Sequence, residues 1–261
     1  MAKLSIGKAW EETVPFVKRE GHLLFPVAFA LIALPIVVLM QMLPADYTGF
    51  TAGAGGAKPQ PLPPMYSLGF MVVAVLSMMG ALTIYVLALR PGISVGEALM
   101  RAMRRTPALL GALLLVGMAV GLIMLVLVLV LGMLAAAVGP AAATALLPIL
   151  VGGLLTLASA RFLLLNVVVA EEGLGVLASI RRGWDITRGQ LWRLVVFLII
   201  FFALLIVVQS AAQGILGVVG TLIGGPDIGR LLGGLAGAIA GGVIQVYLLV
   251  MTARIYLQLR A

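Results

Sequence analysis

Residues 108–140 read ALLGALLLVGMAVGLIMLVLVLVLGMLAAAVGP, without a single charged side chain. Beyond Pro140 the apolar character continues to Ala170, broken by one arginine, Arg161. A run from 108 to 170 is far too long for one crossing of a hydrocarbon core of about 30 Å, which takes roughly 20 helical residues. Gly139-Pro140 is a turn signal and divides it into two spans. The same reading extends to the whole chain of 261 residues, which is 63% hydrophobic and 10% charged, with a mean hydropathy of +1.22. Soluble chains are about 25% charged. Continuous apolar runs without strict alternation argue for helices and against a barrel.

Six spans are predicted, at about 22–43, 66–89, 108–134, 141–170, 194–220 and 231–257. The fold class is therefore all-α, a polytopic membrane protein in a single transmembrane domain. The first apolar run is too long for a signal-peptide core and lacks an A-x-A-like exit, so it is read as a retained span. The connection at 44–64 is rich in Gly and Pro and is read as a flexible outer loop. Basic residues are sharply asymmetric. Lys3, Lys8, Lys18 and Arg19 precede span one; Arg90, Arg101, Arg104 and Arg105 join spans two and three; Arg181, Arg182, Arg188 and Arg193 join spans four and five; Arg260 ends the chain. The other side has only Lys58 and Arg230. Positive residues stay cytoplasmic, which predicts both termini inside.

The three basic segments resemble one another: SIGKAW at 5–10, SVGEAL at 94–99 and LGVLAS at 174–179. Apolar residues recur at i, i+4, i+8 as Ile6, Trp10 and Val14, as Val95, Leu99 and Met103, and as Val176, Ile180 and Trp184. Two registers compete for the third segment. Identity pairs Ala9 and Ala98 with Ala178, whereas the apolar stripe pairs Ile6 and Val95 with Val176. The pattern predicts three amphipathic interfacial elbow helices, giving three elbow-plus-hairpin units. Arg19-Glu20-Gly21, Arg105-Thr106-Pro107 and Arg188-Gly189 mark the elbow exits. Each elbow would lie in the membrane plane with its arginines toward anionic phosphates.

Polar residues inside the spans are the candidate contacts. Arg161 lies about 13 Å deep at the rise of a helix, where arginine costs about 2.5–3.5 kcal/mol on insertion scales. It either meets an anionic ligand or snorkels to the surface. Arg254 sits similarly in span six and Tyr85 in span two, so the three can converge on a pocket. Gln209, Gln213, Gln245 and Asn166 are expected to hydrogen-bond between helices. Gly233, Gly237 and Gly241, at GxxxGxxxG spacing, are expected to pack helices within the monomer.

Catalytic chemistry is thin. There is no cysteine and one histidine, His22, and no acidic residue falls deep in a span. HExxH, P-loop and GxGxxG fingerprints are missing. No catalytic residue, cofactor or metal is expected, and the net charge of +8 is laid beside spans rather than on a soluble nucleic-acid face.

Residues 160–193, ARFLLLNVVVAEEGLGVLASIRRGWDITRGQLWR, resemble the membrane domain attached to some bacterial glycerophosphoryl diester phosphodiesterases and its standalone six-span relatives. Ala178, Arg181, Trp184, Thr187, Gly189, Trp192 and Arg193 stand where that family's elbow motif has them. Gly183 replaces an expected serine, and Asp185-Ile186 depart from the pattern. The resemblance implies a multi-pass protein of the bacterial inner membrane. It does not imply phosphodiesterase activity, which belongs to a separate soluble domain.

The expected function is a non-enzymatic module that interacts with anionic membrane lipids or organises a protein partner in phospholipid or envelope homeostasis. Its contacts would be Arg161, Arg254, Arg181, Arg182, Arg188 and Arg193. The competing reading is a transporter or flippase for an anionic amphiphile that uses Arg161 and Arg254. A lipid-headgroup enzyme would have to use Glu171, Glu172 or Asp185.

Overall fold

The computed structural model describes residues 5–42, 64–138 and 140–260. Most of the outer connection at 44–64, including Lys58, lies outside the described residues, as do Lys3 and the Gly139 of the expected turn. The described residues form helices: α1 Ile6–Ala28, a π-helical turn Phe29–Ala33, α2 Leu34–Met42, α3 Pro64–Leu89, α4 Val95–Val138, α5 Pro140–Phe162, α6 Leu165–Glu172, α7 Val176–Thr187, α8 Leu191–Gly224 and α9 Pro226–Arg260. Six helical stretches are long and apolar enough to cross a membrane. The protein is an all-α chain of the multi-pass class.

The spans pack in a ring. α1 touches α9, α9 touches α8, α8 touches α5, α5 touches α4, α4 touches α3, and α3 returns to α1. Short α6 contacts α3, α4 and α9, and its Leu165, Val167, Val168 and Val169 are buried. It fills one end of the ring. The other large buried side chains gather at the same end: Leu24, Leu82, Ile84, Leu109, Leu194, Phe197 and Met251. The first and last described residues lie there too, since the Ser5 amide donates to Gln258 Oε1 at 3.1 Å. Towards the opposite end the helices present Met118, Met133 and Leu222 outward, each more than 70% exposed. Such a surface suits acyl chains, not water. Span four is two helices, broken at Leu163-Leu164 without glycine or proline. The Thr187 hydroxyl, on α7, stands 3.4 Å from the Arg161 carbonyl at this break, and 3.0 and 3.1 Å from the carbonyls of Gly183 and Trp184. It donates to one of the three at a time.

The threefold pattern is carried by helix starts and buried faces. The three segments become helical at Ile6, Val95 and Val176. Ser5 Oγ accepts from the Lys8 amide and Ser94 Oγ from the Glu97 amide, the same N-cap bond twice. Gly175 holds the third cap position. Ala9 and Thr13, Ala98 and Ala102, and Ser179 and Gly183 are buried in matching places. Burial thus selects the register pairing Ile6 and Val95 with Val176. Four residues further on, Thr106 and Thr187 bond back to the carbonyls of Ala102 and Gly183.

Of the three segments read as elbows, only the third forms a separate helix. The first continues into span one within α1 and the second into span three within α4, past Gly21 and Pro107. Gly21 is helical and buried against Phe25, while Pro107 forfeits one backbone donor that packing at Leu109 and Ala112 outweighs. The third, α7, stops because Arg188 turns extended (ψ 127°) and Gly189 takes φ 85°, a left-handed value open to glycine. The apolar stripes are only partly covered by the bundle, since Trp10, Met103 and Trp184 stay exposed. Ile6, Val95, Val176 and Ile180 pack against the core, and Trp10 lies against Tyr247 at 5.8 Å.

Candidate functional site

The end that carries the termini is strongly basic, and its geometry begins with two glutamates at the end of α6. Glu171 takes Arg90 through two bonds of 3.2 and 3.3 Å. Glu172 accepts from Tyr256 Oη at 2.7 Å and from Arg182 Nε at 3.3 Å. Arg105 Nη1 reaches the Val169 carbonyl at 3.2 Å. The two glutamates therefore tie the end of α3, α7 and α9 to α6, and Arg105 ties α4 to it. Gly173 then turns the chain at φ 63°, and a Cβ there would overlap the Arg105 guanidinium. The Glu171–Arg90 pair is partly exposed, and pairs of that kind contribute about 0–1 kcal/mol. Glu171→Ala is expected to lower thermal stability by no more than that, as differential scanning fluorimetry in detergent would register.

Arg161, Arg254 and Tyr85 do not share a pocket. The Arg161 guanidinium lies over the Trp184 ring at 3.9 Å, that of Arg254 over Phe16 at 4.8 Å. Tyr85 is buried beside Thr252. Each even-numbered span does bring a polar group towards this end, but three different neighbours take them. Arg161 neither reaches into a cavity nor hangs free, because α7 supplies an aromatic face for it, a cation–π contact.

The remaining candidates lie on α7 and just after it. Arg181 and Arg193 are exposed, and Trp192 beside Arg193 is 75% exposed. Arg182, Asp185, Arg188 and Gln190 line a cleft of about 240 Å³ whose far wall is Leu259 and Arg260 of α9. Three guanidinium groups thus face one carboxylate. Arg182 is shared with Glu172, whereas Arg188 and Arg260 make no ion pair among the described residues. Leu177, Trp184 and Trp192 stay exposed beside them. Planar guanidinium forks over apolar anchors match the chemistry of a phosphate on an amphiphile. Arg260 lines this cleft although the sequence reading does not single it out. It enters the topology count, yet nothing in the sequence places the last turn of α9 across a cleft from α7.

The chain matches no family model, no curated protein and no solved structure.

Proposed function

We propose that the protein is a non-enzymatic multi-pass protein of the bacterial inner membrane that holds anionic lipid headgroups at its basic end and so organises lipid in envelope homeostasis. The carrying observation is the cleft between α7 and α9, with Arg182, Arg188 and Arg260 against a single Asp185. In this reading the basic end, with both termini, faces the cytoplasm, where anionic lipid attracts each Lys or Arg with about 1 kcal/mol. Trp192 and Trp184 sit at the headgroup level, as aromatic side chains do. Interfacial seating belongs to α7 above all, because α1 and α4 continue directly into spans.

The non-enzymatic assignment draws support from Glu171 and Glu172, which are committed to Arg90, Arg182 and Tyr256 rather than turned to a shared pocket. Membership of the phosphodiesterase-associated membrane-domain family rests on the motif of residues 160–193 alone. A flippase built on Arg161 and Arg254 gains nothing from their stacked positions.

Native mass spectrometry of protein extracted from membranes tests the headgroup reading. Wild type and Arg161→Ala are expected to retain phosphatidylglycerol adducts, and the double variant Arg188→Ala/Arg260→Ala to lose most of them. Equal retention in all three would remove the cleft as the site.

A further inference from the structure

At the end away from the termini, α9 forms the floor of a groove whose walls are α2 and α8. Both walls pack on α9 without packing closely on each other, so the groove opens sideways. Its outer part is a cleft of about 590 Å³, the size of a small-ligand site. Its inner part narrows to about 150 Å³ and is walled by Ile32 and Ala33 of the π-helical turn. Such turns recur at functional sites.

The lining is polar where hydrocarbon is expected. Gln41, Ser210, Gln213 and Arg230 line the outer cleft; Gln209 and Gln245 line the inner one. The interhelical hydrogen bonds expected of Gln209, Gln213 and Gln245 are not made. None of the four carboxamides has a hydrogen-bonding partner among the described residues. Instead the Gln213 side chain lies against Gly237 and that of Gln209 against Gly241, since these glycines let α8 approach α9. A carboxamide offers two donors and an acceptor, and leaving them unsatisfied in an apolar medium costs several kcal/mol. Four of them along one seam call for polar matter in the groove. Arg230, at the mouth, is exposed and makes no ion pair among the described residues. Asp227 precedes it in the first turn of α9, where it complements the helix dipole.

We propose that this groove is a second binding site, separate from the basic cleft, for the phosphate headgroup of a lipid in the leaflet at that end. Arg230 and Gln41 meet the phosphate, and Gln213 and Gln209 hold the hydrated remainder. The sideways opening favours a lipid over a soluble anion. So does an apolar furrow along the same floor, lined by Phe29, Leu34, Val37, Leu235 and Ile239, which suits an acyl chain. The groove is blind. Below Gln245 the buried layer of Leu24, Val246, Leu249 and Val250 closes the ring, so this arrangement holds a headgroup without passing it across. The site stands whether or not the basic end binds lipid.

The chain has no cysteine, so a single one reports locally. Ser210→Cys in dodecyl maltoside micelles is expected to react readily with a water-soluble methanethiosulfonate reagent. Added phosphatidylglycerol should slow the reaction several-fold, inorganic phosphate should not, and Arg230→Gln should abolish the protection. Gly214→Cys, at a position with open space around it, serves as the second reporter. Unreactive cysteines at both positions would show a dry groove and overturn the proposal. A rate indifferent to phosphatidylglycerol, protection by inorganic phosphate, or protection that survives Arg230→Gln would overturn it equally.

Discussion

Gly233→Val is expected to destabilise the protein by about 3 kcal/mol, the upper range for overpacking a close contact, and to lower its melting temperature in detergent by several degrees. A Cβ at Gly233 would stand 2.9 Å from the Gln213 carbonyl oxygen and 3.2 Å from the Gly217 Cα. Both are backbone atoms of α8 and cannot swing aside, so α8 and α9 must separate. The contact is reciprocal along the hairpin. A Cβ on Gly220 would meet the Gly229 Cα at 2.9 Å, and one on Gly229 the Gly217 carbonyl at 2.8 Å. In lipid there is little hydrophobic gain from helix association, so close backbone packing carries much of the attraction. Gly153→Ala is the control. Gly153 has nothing within 4 Å of its would-be Cβ, and alanine favours a helix over glycine by about 1 kcal/mol. Its melting temperature should hold or rise. Similar losses in both variants would mean that the detergent-solubilised bundle tolerates no change at all, and equal stability in both that α8 and α9 do not touch at Gly233.

The glycines of span six were readable because a four-residue spacing of small side chains marks a face that another helix can approach, and α8 proved to be that helix. The six spans were readable for a simpler reason: each is an apolar run longer than a soluble helix needs. The threefold register was readable only as two alternatives, since Ala178 and Ser179 are both small; burial of Ser179 decided between them. Gly21 and Pro107 read as breaks in the sequence but lie inside helices, because local breakers yield to packing and membrane helices tolerate both residues. The break at Leu163-Leu164 has no local signal whatever, as its polar contact comes from Thr187 on another helix. The glutamines were assigned to interhelical bonds by their depth. Depth says nothing of facing, and Gln209, Gln213 and Gln245 turned out to share one open seam. For Arg161 the sequence offers a ligand or snorkelling to the surface, and its ring partner Trp184 is invisible there because it comes from α7 packed on α5.

Glu172 should matter far more than its neighbour Glu171, although the two are adjacent acids at the end of one helix. Glu172→Ala is expected to cost about 2 kcal/mol, the penalty for stranding a buried donor. Its Oε1 accepts the hydroxyl of Tyr256 at 2.7 Å, and Tyr256 is fully buried. Without the carboxylate that hydroxyl loses its acceptor, while Arg182 loses its ion pair with α6. The Arg182 share is small because its side chain is 44% exposed. The stranded hydroxyl can be removed directly. Tyr256→Phe alone should cost about 1 kcal/mol, and in the Glu172→Ala background it should recover part of the loss, since it deletes the stranded donor. The coupling from that double-mutant cycle, read from melting curves of the four proteins, should therefore be about 1 kcal/mol or more. The same cycle run with Glu171→Ala and Tyr256→Phe should be additive, because Glu171 pairs with Arg90 and not with the tyrosine. Additivity in both cycles would show that Tyr256 finds another acceptor. The three-way tie at the end of α6 would then reduce to two surface ion pairs, and the shape of the arginine cleft between α7 and α9 would have to depend on packing at Gly183 and Thr187 instead.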